Sequence, residues 1–454
     1  MSLANSVGGR DTQRKVNPTS DRGNSSISTV SIWSEKIKGK GEDGPPLILL
    51  SEDYSFGIIA VSDGVGGAGS RPVCIDGEQA SGARVAAMKL LEITLAFFKK
   101  SWLQDSYNVD IMEGPGNIMD DKKTTQPRHS EKTSIDADIH SASHERMSHS
   151  SFTNLSANEE KTRLHRMRKH QSTMQLKPYL PASVGNCSAY ILDGAVCGPN
   201  VSRHIELLGK AIDGAFEKMN HGIAKTQSSS RLKTKIQRNL PSTLAGWVYR
   251  TTPEREITAF WAGDSRCYVL RNDGLHQVSQ DDAKGDFDAF EAIWADPPLT
   301  NYISEKVPNN IKQKRLLCDY QTLLICASDG AFNYQPTPME FEFVVLRSLM
   351  SSKNMQAWAD DLAERLQASA GDDVSIVLHP LGFDSFDDLK ALYKRRLDEL
   401  KEQFIAPLEA LKDKRAQLEK ELASLKAEEK QKTKEAWDQY RVTYEQYLHE
   451  GNLI

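Results

Sequence analysis

The sequence predicts an α+β fold that is followed by a C-terminal helical arm. Apolar runs of four to eight residues, several of them ending in Asp-Gly, indicate buried strands. Four such runs in succession, at residues 242–249, 257–262, 267–270 and 275–278, are separated by turn residues and predict an antiparallel meander. Longer stretches with apolar residues at helical spacing lie apart from this meander, and leucines one heptad apart follow residue 384.

The remaining elements follow from the same patterns. The predicted strands outside the meander are residues 27–33, 47–50, 56–61, 189–192, 322–327 and 374–378. The predicted helices are residues 78–99, 201–224, 338–350 and 357–368. Residues 1–26 and about 101–181 are rich in polar residues without periodicity, so we expect a disordered tail and a disordered insertion there.

Composition narrows the class of protein. The chain has 454 residues, of which 39% are hydrophobic and 26% charged, enough for a sizeable core. Its net charge of -5 argues against a nucleic-acid-binding surface, and no apolar run approaches the ~18 residues of a membrane span. The six cysteines form no CxxC pair, so we expect neither a zinc site nor a redox motif. Because the sequence shows neither a signal-peptide pattern at its start nor an apolar run of membrane-spanning length, we expect a cytoplasmic protein.

Acidic residues recur where predicted strands begin or end. Asp63 follows the strand 56–61 and opens a glycine-rich turn, and Asp329 follows the strand 322–327 in the same way. Asp372 precedes the strand 374–378, and Asp264 lies in a turn of the meander. Each could be an ordinary turn residue. Together they could instead bind hard divalent cations, which need several oxygen ligands from separate segments.

The order of short motifs resembles the metal-dependent type 2C serine/threonine protein phosphatases over residues 27–381. The matching pieces are Gly41-Glu42-Asp43, Val61-Ser62-Asp63-Gly64-Val65-Gly66-Gly67, Ser242-Thr243, Ala262-Gly263-Asp264-Ser265-Arg266, Val278-Ser279-Gln280-Asp281-Asp282, Ala327-Ser328-Asp329-Gly330 and Gly371-Asp372-Asp373-Val374-Ser375-Ile376. The resemblance implies a four-layer αββα sandwich of two antiparallel sheets, with the metal site in a cleft at one end.

The resemblance also implies the chemistry. Asp63 would bridge two Mn²⁺ or Mg²⁺ ions, with the Gly64 carbonyl on one of them. Asp329 and Asp372 would complete the shell of the first ion, and Glu42 and Asp43 would support the second. A metal-bridging hydroxide would attack the phosphorus of a phosphoserine or phosphothreonine in line.

Three positions depart from the family pattern. Lys38 stands where the family has a phosphate-binding arginine, so it would hold the phosphate only as a point charge. Val65 replaces a histidine proposed as general acid, so a proton for the leaving group must come from water or another group. Asn333 replaces an acidic residue that would hold a third ion with Asp264, so two ions are expected. These departures leave open a phosphatase-like scaffold with little or no turnover.

Residues 384–450 predict a helical coiled-coil arm outside the resemblance. One heptad separates each of Leu397, Phe404, Leu411, Leu418 and Leu425 from the next. Pro407 predicts a kink near Ala406, and an aromatic stripe, Trp437, Tyr440, Tyr444 and Tyr447, follows. We expect the arm to dimerise the chain or to bind another protein.

Overall fold

The computed structural model describes residues 27–70, 72–75, 78–109, 176–192, 201–226, 239–251, 255–295, 297–317 and 321–449. The predicted tail, residues 1–26, and residues 110–175 of the predicted insertion lie outside the described residues. The ends of that insertion are described. They contain the last turns of a helix that runs to Val109 and a short strand, Leu176–Pro178.

The described strands form two sheets and one separate hairpin. They are β1 Val30–Ser34, β2 Leu47–Ser51, β3 Phe56–Val61, β4 Pro72–Ile75, β5 Glu78–Ser81, β6 Leu176–Pro178, β7 Ala182–Val184, β8 Ser188–Leu192, β9 Leu244–Arg250, β10 Glu256–Ala262, β11 Arg266–Arg271, β12 Gly274–Gln277, β13 Lys312–Leu317, β14 Thr322–Ala327 and β15 Val374–Leu381. The first sheet has the order β12-β11-β14-β15-β1-β7, and the second has the order β13-β10-β9-β3-β2-β8-β6. Strands β4 and β5 pair only with each other.

The described helices lie mainly on the outer faces of these sheets. They are α1 Gly66–Gly69, α2 Gly82–Val109, α3 Val201–Thr226, α4 Ala289–Ala295, α5 Asp329–Phe332, α6 Pro338–Ser351, α7 Met355–Ser369, α8 Phe386–Leu400, α9 Ala406–Tyr444 and α10 Gln446–His449. A π-helical turn, Lys401–Ile405, joins α8 to α9.

The buried hydrophobic side chains form three clusters, and each cluster lies between two of the four layers of the sandwich. Ile59 and Val61 of β3 point into the cluster between the two sheets, whereas Ile58 and Ala60 point outward under α2 and α3. This split follows from the alternation of side chains along a strand. A third cluster lies between the first sheet and helices α6, α7 and α8. The predicted αββα sandwich is therefore confirmed.

Two details of the predicted sheets are wrong. The sheets are mixed and not purely antiparallel, because β7 pairs in parallel with β1 and β8 pairs in parallel with β2. The predicted meander is divided between the sheets: β9 pairs with β10 in one sheet and β11 pairs with β12 in the other. Gly263, with φ 102°, turns the chain from β10 to β11. Its turn residues would suit a hairpin equally well, so the local sequence does not reveal the change of sheet.

The helix predicted at residues 78–99 also begins later than expected. Glu78–Ser81 is a strand that pairs with Pro72–Ile75, and α2 starts at Gly82. The other predicted helices and strands in the described residues are present, with ends that differ by a few residues.

The C-terminal segment has two different environments. Leu389, Tyr393 and Leu400 of α8 belong to the cluster under the first sheet, and the Tyr393 hydroxyl donates a hydrogen bond to the Leu270 carbonyl at 2.7 Å. No residue of the 39-residue helix α9 is buried. Pro407 lies in the first turn of α9, directly after the π turn, where the sequence predicts a kink.

Within the described residues, no helix is long and apolar enough to cross a membrane.

Candidate active site

The strand register brings the ends of several strands to one edge of the sandwich. Val61 at the end of β3 lies opposite Ala245, and Leu244 next to it lies opposite Ala262 at the end of β10. In the other sheet, Ala327 at the end of β14 lies opposite Arg266. The segments that carry Asp63, Asp264, Asp329 and Asp372 therefore all emerge at this edge, which we call the acidic end.

Asp43 and Asp63 form the centre of the acidic end. Their carboxyl groups hydrogen-bond to each other, and the Ser328 hydroxyl donates to Asp43 Oδ2 at 2.7 Å. Burial, together with nearby Asp329 and Asp373, raises the pKa of Asp43 to about 8. Burial and the carboxylates of Asp43 and Asp329 raise the pKa of Asp63 well above its usual range. Two adjacent carboxyl groups in a buried site cannot both ionise cheaply, so they share a proton.

Asp264 joins this cluster from the crossover between the sheets. Burial raises its pKa to about 8, and the neighbouring carboxylates of Asp329 and Asp281 add to the effect. Arg266 acts in the opposite direction, but its guanidinium is engaged by Asp281, with Nη2 to Oδ2 at 2.6 Å. Like charges therefore dominate the surroundings of Asp264.

A short chain of hydrogen bonds holds Asp63 in place relative to the turn between β10 and β11. The Asp63 backbone N–H donates to Thr243 Oγ1 at 3.2 Å, and the Asp63 carbonyl accepts from Thr243 N at 2.7 Å and from Ser242 Oγ at 2.8 Å. Thr243 Oγ1 in turn lies 2.6 Å from Ser265 Oγ. The Ser242-Thr243 motif thus positions two aspartates, a role that the sequence alone did not assign to it.

Glu42 lies at the rim of the cluster on the loop before β2. Burial raises its pKa, while Ser81 donates a hydrogen bond to its carboxyl and the charges of Asp373 and Asp372 add repulsion. The Glu42 carbonyl accepts from Gly64 N at 3.2 Å, so this loop and the glycine-rich turn are held together. A Cβ on Gly66 would meet Glu42 Oε2, so a larger residue there would require the Glu42 side chain to move.

Asp372 and Asp373 have different surroundings although they are adjacent. Asp372 is exposed, and its Oδ1 accepts from Asp373 N at 2.9 Å. Asp373 is buried and accepts two backbone N–H groups of the loop before β2, from Lys36 at 2.7 Å and Glu42 at 2.5 Å. Sequence reasoning missed Asp373 as a functional residue. Its position beside a candidate ligand, just before a buried strand, was the available signal.

Arg84, which the sequence does not single out as a site residue, contacts the loop before β2, and Lys38 lies on that loop. Lys38 is exposed on the loop before β2. Arg84 belongs to a mostly apolar helical stripe in the sequence, yet its Nη1 binds Glu35 Oε1 at 2.5 Å and the carbonyl of Gly41, the residue before Glu42. Arg84 therefore supports the loop that carries Glu42.

The donor set at this end consists of carboxylate and carbonyl oxygens, which suits Mg²⁺ or Mn²⁺ better than softer metals. Bound cations would relieve the repulsion between carboxylates that helps to raise these pKa values. Among the described residues, however, no three His, Cys, Asp or Glu side chains are spaced to hold one ion.

Comparisons with known proteins give only a loose structural likeness. No protein-family model and no curated protein matches the chain. A serine/threonine phosphatase of S. agalactiae has 12% identity and a TM-score of 0.41, with 79% of this chain and 99% of that one covered. One of Staphylococcus aureus has 11% identity and a TM-score of 0.40, over 83% and 100% of the chains. One of Mycobacterium tuberculosis has 14% identity and a TM-score of 0.37, over 77% and 96%. At such scores, function must be inferred from the residues of the site.

Proposed function

We propose that the chain is a divalent-metal-dependent phosphatase that hydrolyses phosphoserine or phosphothreonine in proteins. The observation that carries this proposal is the convergence of Asp43, Asp63, Asp264 and Asp329, from four separate segments, in one cluster where burial and mutual repulsion raise carboxyl pKa values. A purely structural end of a sandwich has no physical need for such repulsion.

Two Mn²⁺ or Mg²⁺ ions fit the chemistry of these donors. Asp63 would bind both ions and the Gly64 carbonyl one of them, Asp329 and Asp372 would hold the first ion, and Glu42 and Asp43 would support the second. Bound at this end, the ions would lower the pKa of water and neutralise charge on a phosphoryl group. Ligand carboxylates bind metal in their ionised form, so Asp43 and Asp63 would have to give up their shared proton.

Other residues would position the parts of the site. Asp373 and Arg84 hold the loop of Glu42 from two sides, through its backbone N–H and the preceding carbonyl. Lys38, exposed on the same loop, would attract the substrate phosphate as a point charge. Val65 offers no proton, so the leaving alkoxide would take its proton from water.

A second candidate function is a phosphatase-like scaffold that binds partners through the C-terminal arm without turnover. The observation that favours it is the absence, in the described part of the chain, of three acidic or histidine side chains spaced for an ion. Val65 and Asn333, which depart from the type 2C pattern, also favour a protein without turnover. Both candidates predict the same fold, so only chemistry separates them.

The experiment is hydrolysis of a phosphothreonine peptide with Mn²⁺, with Mg²⁺ and with chelator, by the wild type and by Asp63→Asn. Asp384→Asn is the matched control, since Asp384 is an exposed aspartate outside the acidic end. We expect metal-dependent turnover in the wild type and the control, and a loss of about 10³-fold or more in Asp63→Asn. Metal binding by calorimetry without any turnover in the wild type would support the scaffold instead.

A further inference from the structure

Helix α9 carries an apolar stripe that nothing in the described chain covers. Leu411 and Leu425 are 63% and 62% exposed, and Leu418 and Leu422 are exposed to a similar degree. The helix has 39 residues and is about 58 Å long, and the leucines from Leu411 to Leu425 extend over about 21 Å of it. Beyond it, Trp437, Tyr440 and Tyr444 pack on one another as an exposed aromatic patch, with ring centroids 5.6 to 6.5 Å apart.

The stripe has a single heptad register in its first half. Leu411, Leu418 and Leu425 occupy position d, while Leu408, Arg415 and Leu422 occupy position a. The flanking g positions are Lys414 and Glu421, and the flanking e positions are Lys412, Glu419 and Lys426. In a parallel, in-register pair, each g residue faces the e residue of the next heptad on the other helix.

Charge complementarity identifies the occupant as a second copy of the same helix. In that parallel pair, Lys414 faces Glu419 of the second copy and Glu421 faces its Lys426. Symmetry doubles both contacts, so all four are attractive. We infer that the chain forms a homodimer through a parallel, two-stranded coiled coil of α9.

Arg415 is the one charged residue at an a position between Leu408 and Leu422, and the parallel pair places it near its own counterpart. Glu419 lies one turn further along the same helix, with Oε1 3.6 Å from Arg415 Nε, and offsets part of that repulsion. A single polar residue at an a position is a recognised means of fixing register in coiled coils, at some cost in stability.

An antiparallel pair centred between Arg415 and Leu418 also brings opposite charges together, with Lys414 against Glu421 of the second copy. In that arrangement, however, Trp437 and Tyr440 would lie beyond Ala406, the first residue of α9 in the second copy. They would therefore lie beside α8 of the second copy. There, Tyr393 and Leu400 are already buried in their own domain. The parallel pair covers Leu408, Leu411, Leu418, Leu422 and Leu425 with the same residues of the second copy, and it pairs α9 only with α9.

The first test is the mass of the full chain in solution by sedimentation equilibrium. We expect twice the 50.7 kDa of one chain at micromolar concentration. Leu418→Glu with Leu425→Glu should weaken the dimer by at least about 100-fold, because it places charge at two core layers. Ser424→Glu with Ala427→Glu adds the same charge on the opposite face of α9 and should leave the dimer intact. A monomeric wild type, or equal dissociation by both double variants, would overturn the inference.

The second test fixes the orientation by exchanging charges. Glu421→Lys alone should weaken the dimer by about tenfold in either orientation. Adding Lys426→Glu restores attraction only in the parallel pair, since the antiparallel pair still sets the introduced lysine side chain against Lys414 of the second copy. Recovery of wild-type affinity in the double variant is expected, and failure to recover would show an antiparallel or different assembly. Because α9 is exposed, thermal unfolding of the sandwich should be unchanged in every variant.

Discussion

The two ends of the sandwich bury titratable groups in opposite ways. At the acidic end, carboxyl groups of like charge are gathered, and burial with mutual repulsion raises their pKa values. At the other end, His379 of β15 stacks on Tyr249 with ring centroids 4.7 Å apart, and its Nδ1 lies 2.9 Å from Thr29 Oγ1. Burial lowers the pKa of His379 to about 3, so it remains neutral.

This difference indicates that His379 contributes to stability, whereas the carboxyl groups of the acidic end serve binding. His379 is an uncharged imidazole with a stacked ring and a hydroxyl partner, and it needs nothing from solution. The acidic end is stable only with shared protons or with added positive charge. Residues at the acidic end should therefore affect activity more than folding, and residues at the histidine end should do the reverse.

The largest expected effect is on turnover at the acidic end. Asp329→Asn removes one carboxylate ligand and should lower phosphatase activity by about 10³-fold or more, equivalent to about 4 kcal/mol in the barrier. The same change removes repulsion from Asp63 and Asp264, so the free energy of unfolding without metal should stay the same or rise. Urea unfolding and peptide hydrolysis on one preparation measure both quantities. A clear loss of stability would mean that Asp329 serves the fold.

The next effect concerns the pH dependence contributed by His379. Its pKa of about 3 in the folded chain is below the ordinary 6.5, so between these values the unfolded chain binds a proton that the folded chain does not. This contribution leaves stability intact above pH 6.5 and removes about 3 kcal/mol as the pH falls to 4. His379→Gln cannot titrate, so its free energy of unfolding should fall less than that of the wild type over this range. Parallel curves for the two proteins would contradict this assignment.

A smaller effect should come from Asp373, which supports the acidic end without being a proposed ligand. Asp373→Ala leaves the backbone N–H groups of Lys36 and Glu42 without their acceptor and should cost about 2 kcal/mol of stability. Because the loop of Glu42 is then less well held, Mn²⁺ affinity should fall by about tenfold. Calorimetric titration with Mn²⁺ tests this, with Asp384→Asn as control. Unchanged affinity would show that the loop is positioned by other contacts.

The sequence was informative wherever one local pattern determines the structure. Strands such as Phe56–Val61 and Thr322–Ala327 are continuous apolar runs because both of their faces are buried, and this makes them easy to recognise. The aspartates that follow them were identifiable for the same reason. The heptads of the C-terminal segment predicted a long helix, which is present.

Features that depend on distant contacts were not predictable in this way. The parallel pairing of β1 with Ala182–Val184 joins segments far apart in sequence. The roles of Arg84 and Asp373 depend on the loop before β2, whose path no local pattern specifies. The change of sheet at Gly263 needs only a turn, and a hairpin would use the same residues.

The most direct test of the account is thermal unfolding of the wild type and of Asp63→Asn, each with and without Mn²⁺. If the acidic end binds the cations, Mn²⁺ should raise the midpoint of the wild type by several degrees, because a ligand that binds only the folded state stabilises it. Asp63→Asn should show little or no such increase. An equal increase in both proteins, or none in the wild type, would contradict a cation site centred on Asp63.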